Sequence, residues 1–168
     1  MRGRRERLPQ KVNLQSHQEN PRPQAALYTS LPEHRRLEMN PNTIPDVEYL
    51  TSEHMKGLPF SEAVRVGTML YMSGMIGMDG SMKLAPGGVA AETRQAMENI
   101  KATLERYGSS LDHVIKVTVM MADMNEWAEM NKVYTTYFTK NLPARSALGA
   151  NGLAFGARVE IECIAVLK

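Results

Sequence analysis

The segment Pro143–Val166, PARSALGANGLAFGARVEIECIAV, sets Arg145 in a tight Pro-Ala-Arg-Ser run and places Glu160 and Glu162 inside a final β-like run. A guanidinium offers a planar, two-pronged donor that matches a carboxylate or a phosphate. It is equally at home in solvent after a helix-ending proline, and spacing alone does not choose between the two readings. Side chains alternate along a strand, so Glu160 and Glu162 share one face, while Val159, Ile161, Cys163 and Ala165 take the other. Ile164 and Val166 continue the glutamates' face with apolar residues. That pattern suits a covered face with carboxylates near its rim, although a solvated strand end would also carry them. A partly buried glutamate has its pKa raised and can exchange protons near neutral pH.

Other chemistries find less support. His17, His34, His54 and His113 are isolated, with no HExxH or cysteine-pair spacing, so no metal is implied. Ser73-Gly74 lacks a G-x-S-x-G frame and Ser146 has no evident base. Gly87-Gly88 precedes a helix but carries no Lys-Ser/Thr signature, and reads as a loop. Met69, Met72, Met75 and Met78 recur every three residues, and read as adaptable core or interface filler.

The elements that must position these residues follow from periodicity. Residues 1–45 contain six of the nine prolines and no sustained apolar period, so they are expected to form a mostly unstructured basic arm. The arm carries a net charge of +4 and residues 46–168 carry −2. The basic balance therefore gives no support for nucleic-acid binding by the domain at 46–168. Within that domain, EAVRV (62–66) and MLYMSG (69–74) form a hairpin around Gly67-Thr68. Residues 79–88 are loop material. From Val89 to Tyr107 the period becomes helical, with Val89, Thr93, Met97, Ile100 and Leu104 on one face, Glu92 among the polar residues elsewhere, and Gly108 as the stop. HVIKVTVMMA (113–122) alternates as a strand. Asp123, with Glu126 three residues on, is a capping-box variant that opens a second helix ending at Asn141-Leu-Pro143. RVEIECIAVLK is the last strand.

This order gives an α+β class with two helices on one face of a mixed sheet. The strands read as apolar on both sides, so association with other copies is the economical cover for the second face. Cys163 is the only cysteine and no run approaches a membrane span. The start MRGRRERL lacks the apolar stretch of a secretory signal, and a cytoplasmic location is expected.

LPFSEAVRVGTMLYMSGMIGMDG, KVTVMMADMNEWAEMNKVYTTYF and PARSALGA followed by ARVEIECIAV together resemble the RidA (YjgF) family over roughly residues 57–168. The specific part is P-A-R-S with V-E-I-E, whose first glutamate stands fifteen residues after the arginine. The resemblance implies a chorismate-mutase-like α+β fold, a homotrimer with sites between subunits, and cofactor-free hydrolysis of 2-imino (enamine) acids such as 2-iminopropanoate and 2-iminobutanoate to 2-oxo acids and ammonia. By motif position it implies that Arg145 binds the substrate carboxylate and that Glu160 handles the water. Ser73, Gly74 and Asn131 would line the site with Phe60 and Ala147. Phe60 stands where archetypal members carry tyrosine, and Ala147 where they carry cysteine. The glycine-rich 149–157 replaces a Leu-Pro and charged segment. A regulatory binder of small 2-oxo or other carboxylic acids is the alternative these departures leave open. RNA cleavage, a further activity of relatives, has no electrostatic support from the domain.

Overall fold

The computed structural model describes residues 45–168, so all but Pro45 of the expected arm lies outside the described residues. Seven strands and two α-helices follow in the order β1 (Val47–Leu50), β2 (Ala63–Val66), β3 (Met69–Met72), β4 (Met75–Ile76), α1 (Gly88–Arg106), β5 (Val114–Met121), α2 (Trp127–Tyr134), β6 (Ala144–Gly149) and β7 (Val159–Val166). They build one mixed sheet in the order β1-β2-β3-β7-β5-β6, with β4 also paired to β7. The α+β reading, with both helices on one face, holds.

The expected hairpin is present: Val66 pairs with Met69 across Gly67-Thr68. Helix α1 ends as its sequence anticipates. Gly108 takes φ 84°, Ser109 N–H donates to Leu104 and Gly108 N–H to Glu105, the paired bonds of a Schellman stop. The central strand β7 is antiparallel to β3, β4 and β5. β6 runs parallel to β5 at the sheet edge.

The core lies between the helices and the face of the sheet that carries Leu70, Val117, Val119, Met121, Val159, Ile161 and Ala165, all essentially inaccessible. From the helices come Val89, Met97, Ile100, Leu104 and Met130. The opposite sheet face is more mixed than the sequence suggested. Half-buried Val64, Met120 and Ile164, with the more exposed Tyr71 and Leu148, share it with Lys116, Thr118, Glu160 and Glu162. Among the described residues no helix is long and apolar enough to cross a membrane.

Three further corrections concern polar residues and ends. Glu92, expected on a solvated helix face, is buried, and its carboxylate accepts from the Arg158 N–H at 2.7 Å. Asp123 caps a short 3-10 turn by accepting from Asn125 N–H, but Glu126 does not reach back to it; it is ion-paired with Arg158 instead. Helix α2 stops at Tyr134, well short of Asn141. Thr135 and Thr136 turn their hydroxyls onto the carbonyls of Lys132 and Val133, and i→i+3 backbone bonds tighten the chain there.

Candidate active site

Strand register decides where each candidate residue points. Arg145 pairs with Val117 and Ala147 with Val119, both core-facing partners, so Arg145 and Ala147 lie on the helix side of β6. Glu160 pairs with Met120 and Ile76 on the opposite face. Within one chain the candidate arginine and the candidate glutamate therefore stand on opposite sides of the sheet. The sequence spacing that links them gave no sign of this.

On the helix side, α2 supplies Trp127, Asn131 and Tyr134 at i, i+4 and i+7, a single stripe. Arg145 Nη1 donates to Asn131 Oδ1 at 2.8 Å. Its guanidinium carbon lies 4.5 Å from the Tyr134 ring centre and 5.8 Å from that of Trp127. Two aromatic rings and an amide thus hold a planar cation without neutralising it. Among the described residues no carboxylate forms an ion pair with Arg145. A cavity of about 300 Å³ opens beside it, lined by Asn131, Tyr134, Thr135, Phe138, Leu142 and Pro143. Such a cation, half-buried and unpaired, is suited to a small carboxylate.

On the open face, β3 and β4 are interrupted at Ser73-Gly74, beside β7. The Glu160 side chain packs directly over Gly74: a Cβ there would collide with Oε1 and stand 2.8 Å from Cδ. Only glycine lets the carboxylate occupy this position. Ser73 Oγ donates to the Ser61 carbonyl at 2.7 Å, tying the Gly74 step to the segment that carries Phe60. Phe60 itself is 49% exposed. Glu160 has its pKa raised by burial first and by the neighbouring Glu162 charge second. It enters no ion pair among the described residues. A carboxylate so placed is fitted to exchange a proton with water.

The start of β7 is held from both helices, through Glu92 of α1 and through Glu126 just ahead of α2, each bonded to Arg158 two residues before Glu160. Sequence reasoning missed this clamp, because a glutamate in a helix reads as solvated. It also missed Trp127 and Tyr134 as neighbours of Arg145. Their W-x3-N-x2-Y spacing was the available signal. The candidates thus form two groups: Arg145, Asn131 and Ala147 on the helix side, and Glu160, Gly74 and Ser73, with Phe60 next in chain to their anchor, on the other.

Known proteins supply the comparison. Residues 53–167 match the family model described as Endoribonuclease L-PSP. The chain is 46% identical over 109 residues to the 2-iminobutanoate/2-iminopropanoate deaminase of Mus musculus, covering 64% of this chain and 81% of that protein. It is 44% identical over 108 residues to a RutC family protein of Pyrococcus horikoshii, covering 64% and 86%. Among solved structures, yeast Mmf1 superposes with a TM-score of 0.66 at 33% identity, over 75% of this chain and 98% of that one. RidA from the Antarctic bacterium Psychrobacter does so with 0.64 at 33% identity, over 74% and 99%. The chain belongs to the Endoribonuclease L-PSP family, the RidA/YjgF group.

Proposed function

We propose that this protein hydrolyses 2-imino acids to 2-oxo acids and ammonia, in sites completed between copies of the chain arranged as a homotrimer. The observation that carries the reading is a pair of complementary, unpaired charged groups, Arg145 and Glu160, facing opposite sides of the sheet. In a cyclic head-to-tail assembly, one copy's arginine face meets the next copy's glutamate face, and every copy is used twice. The relatives named 2-iminobutanoate/2-iminopropanoate deaminase support the chemistry.

In this reading the substrate carboxylate sits on Arg145, whose free N–H groups grip it while Asn131 and the aromatic rings fix the guanidinium plane. That brings the imine carbon toward Glu160 of the partner subunit. Glu160 takes a proton from water as the oxygen attacks C2, and the C=N electron pair moves onto nitrogen, which is protonated. The carbinolamine then collapses: Glu160 takes the hydroxyl proton and passes one to nitrogen, C–N breaks, ammonia leaves and the 2-oxo group forms. The raised pKa of Glu160 suits a group that must accept and return a proton. Ser73, Gly74 and Phe60 shape the glutamate half, and Ala147 lies beside Arg145 on the same strand face.

The test couples an amino-acid oxidase, which generates imines, to semicarbazide trapping. The protein should accelerate loss of the imine, and Arg145→Ala should abolish the acceleration. Saturable binding of 2-oxobutanoate with no acceleration for any amino acid tried would replace this reading with that of a carboxylate-binding regulator.

A further inference from the structure

Glu62 is a buried carboxylate that the proposed mechanism leaves unused. It stands two residues after Phe60 and is 5% exposed. One oxygen accepts from Arg106 Nη1 at 2.7 Å and from Thr103 Oγ1 at 3.2 Å, both at the end of α1. The other accepts from the Tyr107 hydroxyl at 2.7 Å and from the Ser52 N–H at 3.2 Å. A buried ion pair of this kind is often no more stabilising than apolar side chains of the same size, because desolvation offsets the attraction. What the four bonds supply is a fixed place for the two peptides that flank the Glu62 Cα. Those are the peptides on which the glycine step rests. The Ser73 N–H donates to the Glu62 carbonyl at 3.1 Å, and Ser73 Oγ donates to the Ser61 carbonyl at 2.7 Å. The next residue is Gly74, over which the Glu160 carboxylate packs. A continuous path thus runs from the end of α1 through Glu62 and Ser73 to the floor beneath Glu160.

We infer that Glu62 is a positioning residue for the proposed reaction, holding the Ser73-Gly74 step where it sets the Glu160 carboxylate against the substrate. The inference rests on the proposed function and adds to it the part of the chain that fixes the glutamate half. Glu62 acts through the two carbonyls beside its Cα and touches no reacting atom. Rate is sensitive to such placement, since a misplacement of about 1 Å far from the chemistry can cost about 10²-fold. Arg145 faces the other side of the sheet and shares none of these bonds, so loosening the step leaves carboxylate binding intact.

The experiment compares the full chain with Glu62→Gln, which keeps the shape but whose NH2 end accepts from no donor. Imine-trapping kinetics, melting temperature and amide exchange at Ser73 are measured on each. Thr93→Ala is the control for lost stability alone: Thr93 is buried in α1, donates only to the Val89 carbonyl at 2.6 Å, and joins none of these bonds. Glu62→Gln should exchange the Ser73 amide faster and lower kcat about tenfold with KM within about twofold, while Thr93→Ala keeps its kcat. Tyr107→Phe, which removes one donor, should lower kcat about threefold in the same pattern, and decides the matter if Glu62→Gln does not fold. An unchanged kcat in a folded Glu62→Gln overturns the inference, as does an equal loss in Thr93→Ala or a loss confined to KM. In those cases the unaltered chain still accelerates imine loss and the proposed function stands. If the unaltered chain gives no acceleration, the proposed function falls and takes the inference with it.

Discussion

Two inactive variants of this chain should restore each other's activity when they are assembled together. Arg145→Ala removes the proposed anion-binding half of the site, and Glu160→Gln removes the proposed proton-handling half. Loss of a general base alone costs about 10²–10⁴ in rate, so each variant should be nearly silent by itself. The register places the two residues on opposite sheet faces, so one chain does not bring them to one substrate. In a ring built from equal amounts of both variants, each site draws its arginine half from one copy and its glutamate half from the next. A closed ring of three that holds both variants contains about one complete site for every two incomplete ones, whichever variant is in excess. The doubly purified mixed assembly should therefore show about a third of the unaltered rate. The variants would be co-expressed with different affinity tags, purified through both, and assayed by imine trapping. A doubly tagged assembly as silent as its parents would refute the opposed-face reasoning.

Other expected outcomes follow from single contacts. Gly74→Ala should lower kcat by roughly 10²-fold with little change in melting temperature, because the added methyl displaces the flexible end of Glu160 rather than backbone. Glu62, buried, accepts from Thr103 Oγ1 and Arg106 Nη1 on one oxygen and from Tyr107 OH and Ser52 N–H on the other. Burial pushes its pKa up, but the bonds from Tyr107, Ser52 and Arg106 outweigh this and hold it below 4.5. Its stabilising contribution is thus complete above the ordinary carboxylate value and lost as pH falls through the lowered one. Urea titrations should show Glu62→Ala less stable by about 3 kcal/mol at neutral pH, with the gap narrowing below pH 4.5. Cys163 is buried, and its thiol is pushed up to about 12 by burial first and by Glu162 second. A thiol reagent such as dithionitrobenzoate should label it only in denaturant, leaving native activity intact.

The parts of the fold that were legible in the sequence are those with a strong period. The 89–107 helix, the alternating 113–122 strand and the 62–74 hairpin all appear where the apolar residues put them. What was hidden depends on contacts between distant segments. β6 shows no clear alternation of its own, because its pairing with β5 supplies the regularity that its sequence lacks. Glu62 and Glu92 are buried because donors from other elements reach them. Helix α2 is short because Thr135 and Thr136 turn back onto the chain, a competition that the apolar spacing of Tyr134, Tyr137 and Phe138 conceals. Arg145 and Glu160 were legible as candidates, since a guanidinium near a helix end and a carboxylate among apolar neighbours are both chemically conspicuous. Their placement on opposite faces was not, because it is set by the register of two different strand pairs.

The most direct test of the central claim is a crystal structure of the full chain soaked with 2-oxobutanoate. The account predicts a cyclic trimer with the ligand carboxylate on Arg145 of one protomer, and with C2 facing Glu160 of the partner subunit across the Gly74 step. A ligand carboxylate bound away from Arg145, or an Arg145-bound ligand with no neighbouring copy's glutamate beside C2, would contradict it.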